Sequence, residues 1–110
     1  MDVRKSLAGI DDIPDGGAIA VHVDSSTGGF DLILTRSGES VSAFHNECPH
    51  AARRLDYAPG KFLIDNSMLI CAAHGAVFGL ESGHCYGGPC RGSGLRSVRV
   101  EIIDGKVCLP

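Results

Sequence analysis

Cys48 and His50, in Cys48-Pro49-His50, and Cys71 and His74, in Cys71-Ala72-Ala73-His74, are the residues whose types and spacing could do chemistry. They form two Cys/His pairs, each near a loop end, and together they make the ligand set that a mixed thiolate and imidazole iron–sulfur cluster needs. Two thiolates can hold one iron and two imidazoles the other. Exchanging two anionic sulfur ligands for neutral nitrogen raises the reduction potential above that of an all-Cys plant-type cluster. In both pairs the chain must curl so that two side chains converge on adjacent metals. Pro49 fixes φ within the first pair, and Gly75, after His74, permits backbone approach. A tetrahedral zinc ion also accepts two Cys and two His, so a structural zinc site is the alternative for the same four residues.

The segments that position these residues read as short strands. Ala18–Val23 and Phe30–Thr35 flank the turn-forming Ser25–Gly29, and Ser37-Gly38 turns into Ser40–His45, which predicts a three-stranded meander. Near the other end, Val98–Ile102 and Lys106–Leu109 flank Asp104-Gly105, a dipeptide that suits a type I′ turn and predicts a terminal hairpin. Between them Asn46–Gly94 has a different texture, with three of the five His, four of the five Cys and several Gly-Pro or Pro-Gly turns. It reads as an insertion that builds the site, with strands at Ser67–Ile70 and Val77–Leu80 and a short turn within Ala51–Tyr57. No helix signal is strong. A chain of 110 residues with 15 Gly, no Trp and 44% hydrophobic residues is long enough for a core without staples, and it is turn-rich and globular in type. The expectation is one all-β domain over residues 1–110, an antiparallel β-sandwich with a loop-rich cluster-binding subdomain at about 46–94.

C-x-H followed some twenty residues later by C-x-x-H-G is a specific pattern, and from His45 to Leu95 the chain resembles a Rieske [2Fe-2S] protein of the small soluble ferredoxin type. The third loop, Gly83-His84-Cys85-Tyr86-Gly87-Gly88-Pro89-Cys90, resembles the Pro-bearing loop that covers a Rieske cluster, and a zinc ribbon has no need of it. The resemblance implies the Rieske fold and one [2Fe-2S] cluster, with Cys48 and Cys71 on the inner iron and His50 and His74 on the outer, more exposed one. High-potential members of the family add a disulfide at positions held here by Arg53 and Ala73, which rules that disulfide out. They also carry Ser and Tyr hydroxyl donors to cluster and ligand sulfur where this chain has Ala76 and Phe78. Donors to sulfur stabilise the electron-rich reduced cluster, so their loss predicts the low end of the Rieske span of about −150 to +300 mV.

A net charge of −3 and the lack of a clustered basic surface argue against nucleic-acid binding. Arg53, Arg54, Arg91, Arg96 and Arg99 read as a solvated, mixed-sign face. No apolar run has signal-peptide or membrane-span length, so a soluble, cytoplasmic protein is expected. Cys85 and Cys90 read as reduced and structural, with pairing to each other as the alternative; Cys108 reads as core or sheet surface. His22, His45 and His84 match no ligand motif. The chain has no nucleotide-binding G-x-G-x-x-G turn and no room for a second catalytic iron domain, so it reads as an electron carrier and not an enzyme. The resemblance implies electrons taken from an NAD(P)H-dependent ferredoxin reductase and passed to a terminal aromatic-ring hydroxylating oxygenase. Contacts would be transient, through a small apolar tip that includes Pro49, Ala51, Ala52, Gly88 and Pro89. The alternatives are a Rieske-like small subunit of a nitrite reductase and a zinc-stabilised interaction module without a redox role.

Overall fold

The computed structural model describes residues 6–24, 28–48, 54–58, 60–71, 75–88 and 93–110. Strand β1 (Ser6–Gly9) leads through a 3-10 turn (Ile10–Asp12) to the meander β2 (Ala18–Val23), β3 (Phe30–Ser37) and β4 (Ser40–His45). Four short strands follow, β5 (Leu63–Asp65), β6 (Met68–Ile70), β7 (Val77–Gly79) and β8 (Cys85–Gly87), and then β9 (Ser97–Val98), β10 (Glu101–Ile103) and β11 (Lys106–Cys108). They form three sheets, in the orders β1-β11-β10, β2-β3-β4-β9 and β5-β6-β7-β8. Every pairing of these strands is antiparallel. The fold is the all-β sandwich expected, with the loop-bearing sheet β5–β8 inserted between β4 and β9.

The meander strand β3 explains how three sheets share one molecule. Leu32, Ile33, Leu34 and Thr35 are all buried, so this sheet is covered on both faces. Because side chains alternate along a strand, Ile33 and its cross-strand partner Phe44 enter one core with Leu69, Cys71, Phe78 and Cys85. Leu34 and its partner Ala43 enter the other core, with Ile13 and Val107. The middle sheet therefore lies between the terminal sheet and the inserted one. Each of these large aliphatic or aromatic side chains contributes about 1.5–3 kcal/mol of burial. One buried polar bond joins the layers as well, since the Thr35 hydroxyl donates to the Leu80 carbonyl at 2.5 Å.

Three details differ from the sequence reading. Val98–Ile102 is not one strand: Val98 pairs with Ala43 of β4, while Glu101 and Ile102 pair with β11, so the chain changes sheets at Arg99-Val100. Ser67 belongs to a turn and not to β6; Asn66 and Ser67 have φ of 50° and 61°, the left-handed pair that a two-residue hairpin loop requires. The third difference is that β1, β5 and β8 are strands that the pattern of residues did not announce. The Asp104-Gly105 hairpin is as expected, with φ of 51° and 75°.

Candidate metal centre

Cys48 lies three residues beyond the end of β4, and Cys71 directly follows β6. Both are 0% exposed and belong to the same apolar core, in the company of Ile33, Phe44, Leu55, Leu69 and Phe78. Two sulfurs from separate loops are thus drawn into one water-free region. His50 and His74, together with Pro49, Ala51, Ala52, Arg53, Ala73, Pro89, Cys90 and Arg91, lie outside the described residues.

The second loop is closed at its base by main-chain bonds. The Cys71 N–H donates to the Ala76 carbonyl at 2.8 Å and the Gly75 N–H to the Cys71 carbonyl at 2.9 Å. Gly75 has a φ of 73°, in the left-handed region that glycine adopts without strain. Close approach of backbone to backbone is required at Gly88. A Cβ there would stand 2.8 Å from the Ala76 Cα and 3.1 Å from the Gly75 carbonyl oxygen, which shows the third loop pressed against the second. The third loop has its own closure, from the Cys85 N–H to the Ser93 carbonyl at 2.9 Å and from the Leu95 N–H to the Gly83 carbonyl at 2.8 Å.

At the first loop the fastening is polar and partly buried. The Asn46 Oδ1 accepts from the Leu55 N–H at 2.7 Å, and its Nδ2 donates to Asp56 Oδ1 at 3.1 Å. Arg54 forks onto Asp56 through Nε at 3.0 Å and Nη2 at 2.9 Å, and its Nη1 reaches Asp31 Oδ2 at 2.8 Å. Burial alone raises the Asp56 pKa, but the Arg54 fork, the Gly60 N–H and the Asn46 amide outweigh it and hold the carboxyl below its ordinary value. The hydrogen bond to Asp56 in turn raises the pKa of Arg54. The Arg54 guanidinium is half-exposed and shared between two carboxylates, as a mixed-sign face implies, but one of them, on Asp56, is buried. Nothing in the sequence singled out Asn46 or Asp56, because Asn at a strand end and Asp in a loop are common turn residues.

The remaining expectations concern the surroundings of the centre. Ala76 and Phe78 are both 0% exposed and sit in the core that holds Cys48 and Cys71, with no hydroxyl to offer. Cys85 is a buried thiol that donates to the Gly87 carbonyl at 3.2 Å. Cys108 is a buried thiol on β11. The three other histidines have partners of ordinary kinds. His22 bridges Asp24 at 3.1 Å and Asp31 at 2.9 Å, His45 packs on Phe30 with ring centroids 5.6 Å apart, and His84 meets Tyr86 edge-on at 4.8 Å.

Two buried soft sulfurs in a single apolar core, beside loops closed tightly at their bases, suit an iron–sulfur cluster, whose irons need thiolate ligands and whose potential depends on a controlled dielectric. An antiparallel sandwich with such a centre in an inserted, loop-bearing sheet defines a class of small β metalloproteins. Within that class the chain belongs to the Rieske [2Fe-2S] domain family, whose description matches residues 5–102. Its cofactor is a Rieske-type [2Fe-2S] cluster, and the domain is an electron carrier. Among curated proteins it is similar to the chloroplastic choline monooxygenase of Spinacia oleracea, 36% identical over 61 residues. That segment is 54% of this chain and 13% of the relative's length. Among solved structures it is similar to a Sphingomonas yanoikuyae B1 ferredoxin, with a TM-score of 0.78 and 23% identity over 97% of both chains. The ferredoxin of carbazole 1,9a-dioxygenase from Nocardioides aromaticivorans IC177 is also similar, with a TM-score of 0.72 and 24% identity over 99% of both chains. Among the described residues no helix is long and apolar enough to cross a membrane.

Proposed function

We propose that the chain holds its cluster with Cys48, His50, Cys71 and His74 and carries single electrons from an NAD(P)H-dependent ferredoxin reductase to a terminal, ring-hydroxylating oxygenase. The observation that carries this reading is the joint burial of Cys48 and Cys71 in one core. It supports a reading with both thiolates on the inner iron and the two histidines, from the same Cys-x-His and Cys-x-x-His runs, on the outer one. When bound, the cluster supplies a reversible one-electron couple. The chain's own residues exclude water from the sulfur side, through Leu69, Phe78 and Leu55, and fix the loops through the closures at Cys71–Ala76 and Asn46–Leu55. The ferredoxin of carbazole 1,9a-dioxygenase, which is similar over almost its whole length, supports the oxygenase as acceptor. The absence of a nucleotide-binding turn in the sequence supports a separate reductase as donor. The extent of the likeness to these ferredoxins supports reading residues 1–110 as one Rieske domain, with the cluster-binding part at about 46–94.

Electron paramagnetic resonance before and after dithionite, with iron and sulfide assayed on the same sample, tests the assignment. The expected result is a silent oxidised form and a rhombic reduced signal with an average g below that of all-Cys ferredoxins. Serine at any one of the four ligand positions should abolish that signal. Retention of the full signal by any of these variants would remove that residue from the ligand set. Stoichiometric zinc without iron would overturn the carrier reading altogether. Failure of the reduced protein to be reoxidised on mixing with a terminal oxygenase would overturn the acceptor.

A further inference from the structure

The base of the first loop is bridged differently from the other two. Asn46, at the entry, reaches across to Leu55 and Asp56 at the exit through both ends of its side-chain amide, at 2.7 and 3.1 Å. Asp56 has a side chain only 1% exposed, and its two oxygens accept four bonds: Oδ1 from Asn46 and Arg54, Oδ2 from Arg54 and from the Gly60 N–H at 3.0 Å. Arg54 extends the assembly to Asp31 on β3, and the main chain of Asn46 is tied to the same residue, its N–H donating to the Asp31 carbonyl at 3.0 Å. A buried carboxylate with four donors is therefore the node that joins both ends of the 47–54 segment to the middle sheet.

Such a node behaves as a unit. A buried charge is tolerated only while its partners are in place, and taking one away leaves the others unsatisfied in a low-dielectric setting.

We propose that Asn46, Arg54 and Asp56 are positioning residues that clamp the base of the first loop beside Cys48, and that weakening this clamp speeds release of the cluster while the three sheets stay folded. The inference rests on Cys48 and His50 being cluster ligands.

The test follows release of the cluster from the loaded protein, by decay of its visible absorbance in excess ferrous chelator, alongside the chain's own unfolding midpoint. Asp56→Asn replaces four acceptor sites by a group that must turn an NH2 toward donors. Asn46→Asp keeps the bond to Leu55 but sets a second carboxylate against Asp56. Each should release the cluster about tenfold faster or more, the kinetic counterpart of losing one buried hydrogen bond to a charge. The two together should be no faster than the faster single variant, because residues in one network do not act additively; rates that multiply would overturn the clamp as a unit. Val107→Ala, in the second core, should lower the unfolding midpoint yet release the cluster at the wild-type rate. Release from Val107→Ala as fast as from Asp56→Asn would mean that escape follows global unfolding, and the proposal would fall. If Asp56→Asn does not fold, Arg54→Lys, which keeps the charge and loses the fork, serves in its place with about threefold faster release expected and an unchanged rate as the refuting result. A wild-type protein without the mixed-ligand resonance would instead refute the ligand assignment on which the inference rests.

Discussion

Replacing Phe78 with Tyr should raise the reduction potential. Phe78 is fully buried on β7, faces Leu69 and Cys85 across the strand pairs, and shares its core with Cys48 and Cys71. A hydroxyl added to its ring enters a core that also holds the Cys48, Cys71 and Cys85 sulfurs. A hydrogen bond to a charged acceptor is worth about 1.5–3 kcal/mol net. Only the part that differs between the two oxidation states moves the potential. If that is about half, or roughly 0.7–1.5 kcal/mol, the shift is about 30–60 mV upward, at 59 mV per tenfold change in equilibrium constant for one electron. Protein-film voltammetry reads it directly, and a urea titration on the same variant provides the control. A hydroxyl that finds no acceptor costs about 1–3 kcal/mol of stability, whereas one that bonds to sulfur does not. A raised potential with a retained midpoint is the expected pair of results. An unchanged or lowered potential would refute the argument that the missing donors set this protein at the low end of the Rieske range.

Two further predictions concern packing and protons. Gly88→Ala forces a Cβ to within 2.8 Å of the Ala76 Cα at a φ of 86°, so it should lower stability by about 2 kcal/mol or more in a urea titration; a midpoint equal to wild type would mean that the third loop does not press on the second. NMR titration of the imidazoles should find His22 protonating above the ordinary 6.5, held by its hydrogen bond to Asp31. His45 should protonate below 6.5, because burial first and then the Arg96 charge disfavour its cation. The signs are opposite: the His22 contribution to stability is complete below pH 6.5 and disappears as pH rises through its folded pKa, while His45 costs stability as pH falls from 6.5 toward its own. The same order of titration in His22→Gln and wild type for His45, with the upper transition gone, checks the assignment.

How much could be read in the sequence depended on how local the physics was. β2 and β4 have the bounds that the residues predicted, and the Asp104-Gly105 turn formed, because alternation and turn chemistry act between near neighbours. β1 was invisible because its partner β11 lies at the other end of the chain, and no feature of Ser6–Gly9 says so. The single strand expected at 98–102 failed for a related reason: its pattern suits a strand throughout, but the choice between two sheets is made by β4 and β11. Cys48 and Cys71 are marked in the sequence by their own motifs, and the structure buries both in one core. The clamp was not legible. Asn46, Arg54 and Asp56 are ordinary residues until the loop folds back and buries the carboxylate, and only then does the charge pattern acquire a meaning.

The pairing of β1 with β11 sets Ser6 opposite Cys108, a separation of about 4.5–5.5 Å between α-carbons in antiparallel neighbours. Entry and exit of the whole fold are thus at one corner, in the terminal sheet and on the far side of the middle layer from Cys48 and Cys71. A unit built in this way can be spliced into another polypeptide at a single surface position, or have its ends joined by a short linker and be reopened at a different turn, such as Gly38-Glu39, without disturbing the core that holds Cys48 and Cys71. The redox module is, in effect, topologically separable from whatever chain carries it.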